Sequence, residues 1–195
     1  WLNVEHNDLW PNIWINQDEV LAECDLATCD VDGDGFITFR DFNDPSFPAA
    51  NLPSDVNGDG NITPIDLLAA GSLYANGADD GGNGFIDDIC GWNFASGNRF
   101  VSGGSSNHNT GVSGIMGAVG NNQPAGGSVG VCWNCRILPI VAILSAPTGI
   151  GSAQGATAEV VAAFTYARQN GAHVVNFSAG LDIIPSNGNL CPNRV

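Results

Sequence analysis

Residues 30–41, DVDGDGFITFRD, and 55–66, DVNGDGNITPID, set oxygen-bearing side chains at alternate positions around a glycine. A hard cation needs six or seven oxygens, wrapped around it by a flexible turn. Acidic or amide side chains at positions 1, 3 and 5, glycine at 6 for the sharp bend, a backbone carbonyl at 7 and a carboxylate at 12 meet that need. The first stretch offers Asp30, Asp32, Asp34, Gly35, the Phe36 carbonyl and Asp41; the second offers Asp55, Asn57, Asp59, Gly60, the Asn61 carbonyl and Asp66. Ile37 and Ile62 hold position 8, where the two loops of a pair meet. A third acidic turn, 76–88, has Asp79, Asn83, Gly84 and Asp87 at positions 1, 5, 6 and 9, with Gly81 at position 3. The chemistry expected is calcium coordination at two sites, with the third turn as a further candidate. An acidic solvated surface would not require so regular a spacing.

The charge distribution agrees. Of 20 acidic residues, 18 fall in residues 1–88 beside Arg40 alone, whereas residues 89–195 hold Glu159 and Asp182 against four arginines. Clustered carboxylates repel unless a cation neutralises them, and they exclude a nucleic-acid partner, whose phosphates need basic residues. Six cysteines, Cys24, Cys29, Cys90, Cys132, Cys135 and Cys191, suit three disulfides in an oxidising compartment. Closeness in sequence pairs Cys24 with Cys29 and Cys132 with Cys135, leaving Cys90 for Cys191. A zinc or thioredoxin-like reading of Cys132-Trp-Asn-Cys135 lacks a second ligand pair or a redox context. No apolar run reaches the roughly 18–20 residues that span a membrane. The chain opens on Trp1 with no initiator Met or signal peptide, which reads as a mature, trimmed or incomplete secreted product. His108 lies among Gly, Ser and Asn, where a lone histidine is by itself a surface or capping residue. His6 reads as a loop residue and His173 as a strand end, and Ser113 and Ser178 have no visible activating partner.

The elements that must position these residues fall into two parts. Residues 24–88 form an Asp/Gly-rich segment, the candidate module; the resemblances given below imply that 24–75 of it is an insertion in a main α/β domain of residues 1–23 and 76–195. In the latter, glycines recur every third residue around Val112, Ile115 and Met116, predicting a tightly packed helix over 110–118. Residues 136–144 form an apolar run suited to a strand buried on both faces. Val160, Val161, Phe164 and Ala167 predict a helix over 156–169, stopped at Asn170-Gly171, and 173–178 read as a further strand. Strand, helix and strand in that order predict a parallel sheet flanked by helices.

The duplicated EF-hand loops, with Asp rather than Glu at position 12 and a short helix expected over 66–74, resemble those of dockerin modules, which implies structural calcium sites. Outside that insertion, HNDLWPNIWIN (6–16), NGFIDDICGWNF (83–94), HNTGVSGIMGA (108–118), residues 129–144 and GAHVVNFSAG (171–180) resemble, in order, segments of the subtilisin-like serine protease family. The resemblance implies a partial subtilase-like parallel sheet and puts His108, at the start of a helix, where the general base stands. It also implies that the aspartate-bearing strand lies before Trp1, and the oxyanion asparagine and nucleophilic serine beyond Val195. The box departs from HGTH, with Asn109 after the base and Gly111 for the second histidine, and no Asp or Glu lies between Ile89 and Ala158.

The sequence-based expectation is therefore a non-catalytic, calcium-stabilised extracellular assembly protein with a vestigial His108, inactive as this chain alone. A sheet lacking a central strand exposes unpaired edges, which invite another copy, or a companion chain, to complete it as a filament or oligomer. The alternative is the middle part of an active calcium-dependent subtilisin-like endopeptidase, and a weaker one is a docking module for a cohesin-type partner.

Overall fold

A helix with glycine at every third place has little intrinsic stability, and this one is held from outside. In the computed structural model, which describes residues 2–103, 107–122, 127–143 and 153–178, the helix runs His108–Gly117 and starts two residues before the predicted 110–118. Its last carbonyls are met from other segments: the Val131 N–H donates to Ile115, the Cys132 N–H to Met116, and Asn12 Nδ2 to Gly117 at 2.9 Å. The orphan acceptors of a helix C-terminus are thereby satisfied.

In chain order the described elements are a 3-10 turn (Trp10–Asn12), α1 (Gln17–Val20), α2 (Leu26–Cys29), α3 (Phe39–Phe42), α4 (Pro64–Leu68), β1 (Trp92–Asn93), α5 (His108–Gly117), β2 (Ile140–Val141) and α6 (Ala153–Gln169). β1 and β2 pair in parallel, Trp92 opposite Ile140 and Asn93 opposite Val141. Parallel bridges Leu2–Ser102 and Ile13–Ile137 add to them. Helix α5 is the crossover between the two strands, so the strand–helix–strand unit sits one step earlier than expected. One hydrophobic cluster runs from Leu2 and Val4 through Ile37, Phe39, Phe42, Leu67 and Tyr74 to Ile89, Ala118, Ile137 and Val141. Residues 24–75 thus share a core with the rest of the described chain.

Four expectations are corrected. The run 136–144 is not buried on both faces: Ile137, Pro139 and Val141 are buried while Leu138, Ile140 and Ala142 are half-covered, an alternation that reflects one core face. On α6 the buried face is Ala163, Tyr166 and Ala167, whereas Val161 and Phe164 point outward. The reason is polar: the Tyr166 hydroxyl donates to the buried Asp88 carboxylate at 2.6 Å, which fixes the helix rotation. Residues 173–178 form no strand, because among the described residues no ladder partner reaches them, and Val174, Val175 and Phe177 are exposed. The predicted helix stop is present. Gly171 has φ +74°, its N–H bonds to Arg168 and that of Ala172 to Ala167, the two bonds of a Schellman turn. The helix expected over 66–74 is instead α4, which starts inside the loop at Pro64.

Two disulfides join Cys24 to Cys29 and Cys132 to Cys135, with Cα separations of 6.0 and 5.4 Å. Cys90 is buried and has no disulfide partner among the described residues; the expected Cys191 lies outside them.

Gly91 marks the closest backbone approach beside the strand pair. It has φ +108°, and an added Cβ would fall on the Pro139 carbonyl oxygen. Gly91→Ala is therefore expected to lower folding stability by at least about 2 kcal/mol. Gly111→Ala, where no atom lies within 4 Å of the new Cβ, should raise it by about 0.5–1 kcal/mol. Urea denaturation midpoints of the two variants check both signs.

Candidate functional site

Each acidic loop begins with a carboxylate that organises the turn. Asp30 Oδ1 accepts from the N–H groups of Gly33 and Asp34, and its Oδ2 from Gly35 at 2.8 Å. Asp55 repeats this with Gly58, Asp59 and Gly60, the last at 2.9 Å. Gly35 and Gly60 have φ +88° and +84°, a bend that L side chains resist, so the glycine at position 6 is a steric requirement. The closing Asp41 and Asp66 fold back: Oδ1 accepts from Val31 and Val56, each at 2.8 Å, and Oδ2 from the N–H and hydroxyl of Thr38 and Thr63. These threonine–aspartate pairs are also the capping boxes that start α3 and α4. One residue thus closes the loop and opens the next helix.

Among the described residues, Asp30, Asp32 and Asp41 bring three carboxylates together, one oxygen of each within 4.8 Å of the others. Loop 55–66 has Asn57 in place of the second carboxylate. The electrostatics differ accordingly. Partial burial first, and then the charges of Asp41, Asp34 and Asp30, push the Asp32 carboxyl above its ordinary range. The Asp59 carboxyl is held below its own, chiefly by the N–H of Asn61. An all-oxygen donor set with several like charges suits a hard divalent cation, and no cysteine or histidine competes for a softer metal. Arg136 supplies one positive end already: Nη2 lies 2.9 Å from Asp34 Oδ2, and its guanidinium stacks on the Phe36 ring.

The backbone of each position-8 residue is clamped by an amide side chain. The Ile37 N–H donates to Gln17 Oε1 at 2.8 Å, and Gln17 Nε2 donates back to the Ile37 carbonyl at 3.0 Å. Asn43 clamps Ile62 in the same way, with both bonds at 2.8 Å. Both isoleucines are buried in the same hydrophobic cluster. Both amides are new relative to the sequence reading. Nothing in the local spacing marks Gln17, 20 residues before the group it holds.

The third turn copies the first half of this design. Asp79 accepts from Asn83 and Gly84 at 2.9 and 2.7 Å, and Asn83 Oδ1 from Phe85 at 2.8 Å. Its second half differs. Asp87 is buried, accepts from the Gly77 N–H and is ion-paired with Arg99 Nη1 at 2.6 Å, so both its oxygens are engaged there. Next to it, buried Asp88 accepts from Asn16, Asn83 and Tyr166. Burial first raises its pKa, against the lowering effect of those bonds.

His108 is the first residue of α5 and is exposed. Its Nε2 lies 3.0 Å from the Ser178 carbonyl oxygen, which brings the end of segment 173–178 beside the imidazole. Asn109 is exposed and Gly111 has open space around it, so both departures from the histidine box leave the helix undistorted.

A parallel strand pair crossed by a helix that opens on a histidine, with acidic turns built on the same core, defines an α/β scaffold of protease-like order. The family model described as the subtilase family matches residues 3–191, and the chain belongs to that family. No curated protein and no solved structure matches it.

Gln17→Ala and Asn43→Ala each leave one buried backbone N–H and C=O without a partner. Each variant is expected to lose about 2–3 kcal/mol of folding stability by chemical denaturation. Wild-type midpoints in both would mean that the amides do not hold the loops.

Proposed function

We propose that this subtilase-family chain carries the general base of a secreted serine endopeptidase, and that calcium in loops 30–41 and 55–66 stiffens the scaffold presenting it. The observation that carries the reading is His108 at the first turn of α5, with Nε2 at 3.0 Å from Ser178. With Nε2 protonated the ring donates to that carbonyl. In the other tautomer the same nitrogen offers its lone pair to a serine hydroxyl, takes the proton during attack on a peptide carbonyl, and returns it to the leaving amine. The reading requires an aspartate to fix the tautomer and a nucleophilic serine, neither of which is assigned among the described residues. Secretion follows from the family's usual location and from the two disulfides. No described helix is long and apolar enough to cross a membrane.

A second reading, a non-catalytic scaffold that assembles by strand addition, is favoured by Asn109 and Gly111 in the box and by the exposed, strand-like sequence of segment 173–178. The two separate cleanly. The native protein should hydrolyse casein and take up a fluorophosphonate label, and His108→Ala should cut the rate by at least about a thousandfold. An unlabelled, inactive particle several times the mass of one chain would replace the first reading with the second.

The calcium part has its own test. Loops whose carboxylates are gathered around a bound ion lose that stabilisation when it is chelated. EDTA should lower the melting temperature by about 10 °C or more, and excess calcium should restore it. An unchanged melting curve would remove calcium from the proposal.

A further inference from the structure

The acidic turn 79–84 lacks a side chain at position 3, where the first two loops carry Asp32 and Asn57, because the residue there is Gly81. Room for one is tight. A Cβ added at Gly81 would sit 3.2 Å from Asp18 Cβ, 3.6 Å from Glu19 Oε1 and 3.8 Å from Asn83 Nδ2. A carboxylate from another part of the chain thus borders the place a third ligand would fill.

That carboxylate is anomalous. Glu19, on α1, is fully buried at 0% exposure. Its Oε1 accepts the Gly81 N–H at 3.3 Å, while Oε2 is buried with no hydrogen-bond partner among the described residues. The charges that act on it, Asp88, Asp80 and Asp87, all carry its own sign, and burial pushes its pKa up to about 7. A buried carboxylate with one bare oxygen and like charges around it lacks a positive partner.

We propose that Glu19, Asp79 and Asn83 form a third calcium site, in which Glu19 supplies from outside the turn the oxygen that Gly81 cannot. The choice of ion rests on the calcium reading of the two loops; the site itself stands on the orphaned Glu19 oxygen and the copied turn. Asp87 is left out of the ligand set because the Arg99 guanidinium already neutralises its charge. Asp88 braces the site: Asn83 Nδ2 donates to it at 3.1 Å, and Asn16 and Tyr166 hold it in place.

The test is a count of calcium ions bound by the metal-stripped full chain, using calcium chloride alone in calorimetric titration. Wild type should take up three ions per chain and Glu19→Gln two, with the volume of the buried side chain kept. The double variant Asp55→Asn, Asp59→Asn should also bind two, but retain the site that Glu19→Gln removes. If Glu19→Gln does not fold, Asp79→Asn, on the turn, should bind two. Three ions in both Glu19→Gln and Asp79→Asn, or two in wild type with no loss in either variant, would overturn the third site and leave the loops standing. No calcium bound by wild type would overturn both.

Discussion

Carboxylates gathered around one point repel one another, and in this chain the backbone restrains them. In the first two acidic turns the leading aspartate accepts three N–H groups from the bend that follows it, and in the third turn two, so that its charge is held by the bend it creates. The closing aspartates of the first two loops tie loop to helix through a threonine cap. Because the N–H groups already hold these side chains in place, little rearrangement is needed to receive a cation, and preorganisation of this kind reduces the entropic cost of binding.

The same restraint reaches the histidine. Arg40, at the end of the first loop where it runs into α3, donates to Asn12 Oδ1, and Asn12 Nδ2 donates to the carbonyl of Gly117, the last residue of α5. The disulfide-bridged segment 130–135 grips the same helix end, with Gly130 against Gly117 and Ala118 so closely that a Cβ at Gly130 would meet their backbone. Helix α5 is therefore fixed at its C-terminal end by contacts from both parts of the chain, while His108 stands at the opposite end facing Ser178.

Legibility in the sequence followed range. The spacing of each acidic loop is set within twelve residues, and the turns formed as the glycine and aspartate pattern requires. The close cysteine pairs and the Gly171 helix stop are equally local. What needed a distant partner was hidden: residues 173–178 have strand composition but no described ladder partner, and the apolar stripe of α6 pointed to Phe164 because periodicity carries no information about Asp88. Gln17, Asn43 and Glu19 escaped for the same reason, since each acts on a turn formed elsewhere.

Those two amides bear on how the loops are joined. Ile37 is saturated by Gln17, whereas Ile62 is held by Asn43, which follows the first loop and also donates to the Phe39 carbonyl inside it. The second loop therefore leans on the segment that ends the first, and a shift of α3 is handed through one amide to Ile62. The two acidic turns form a relay rather than two independent hooks.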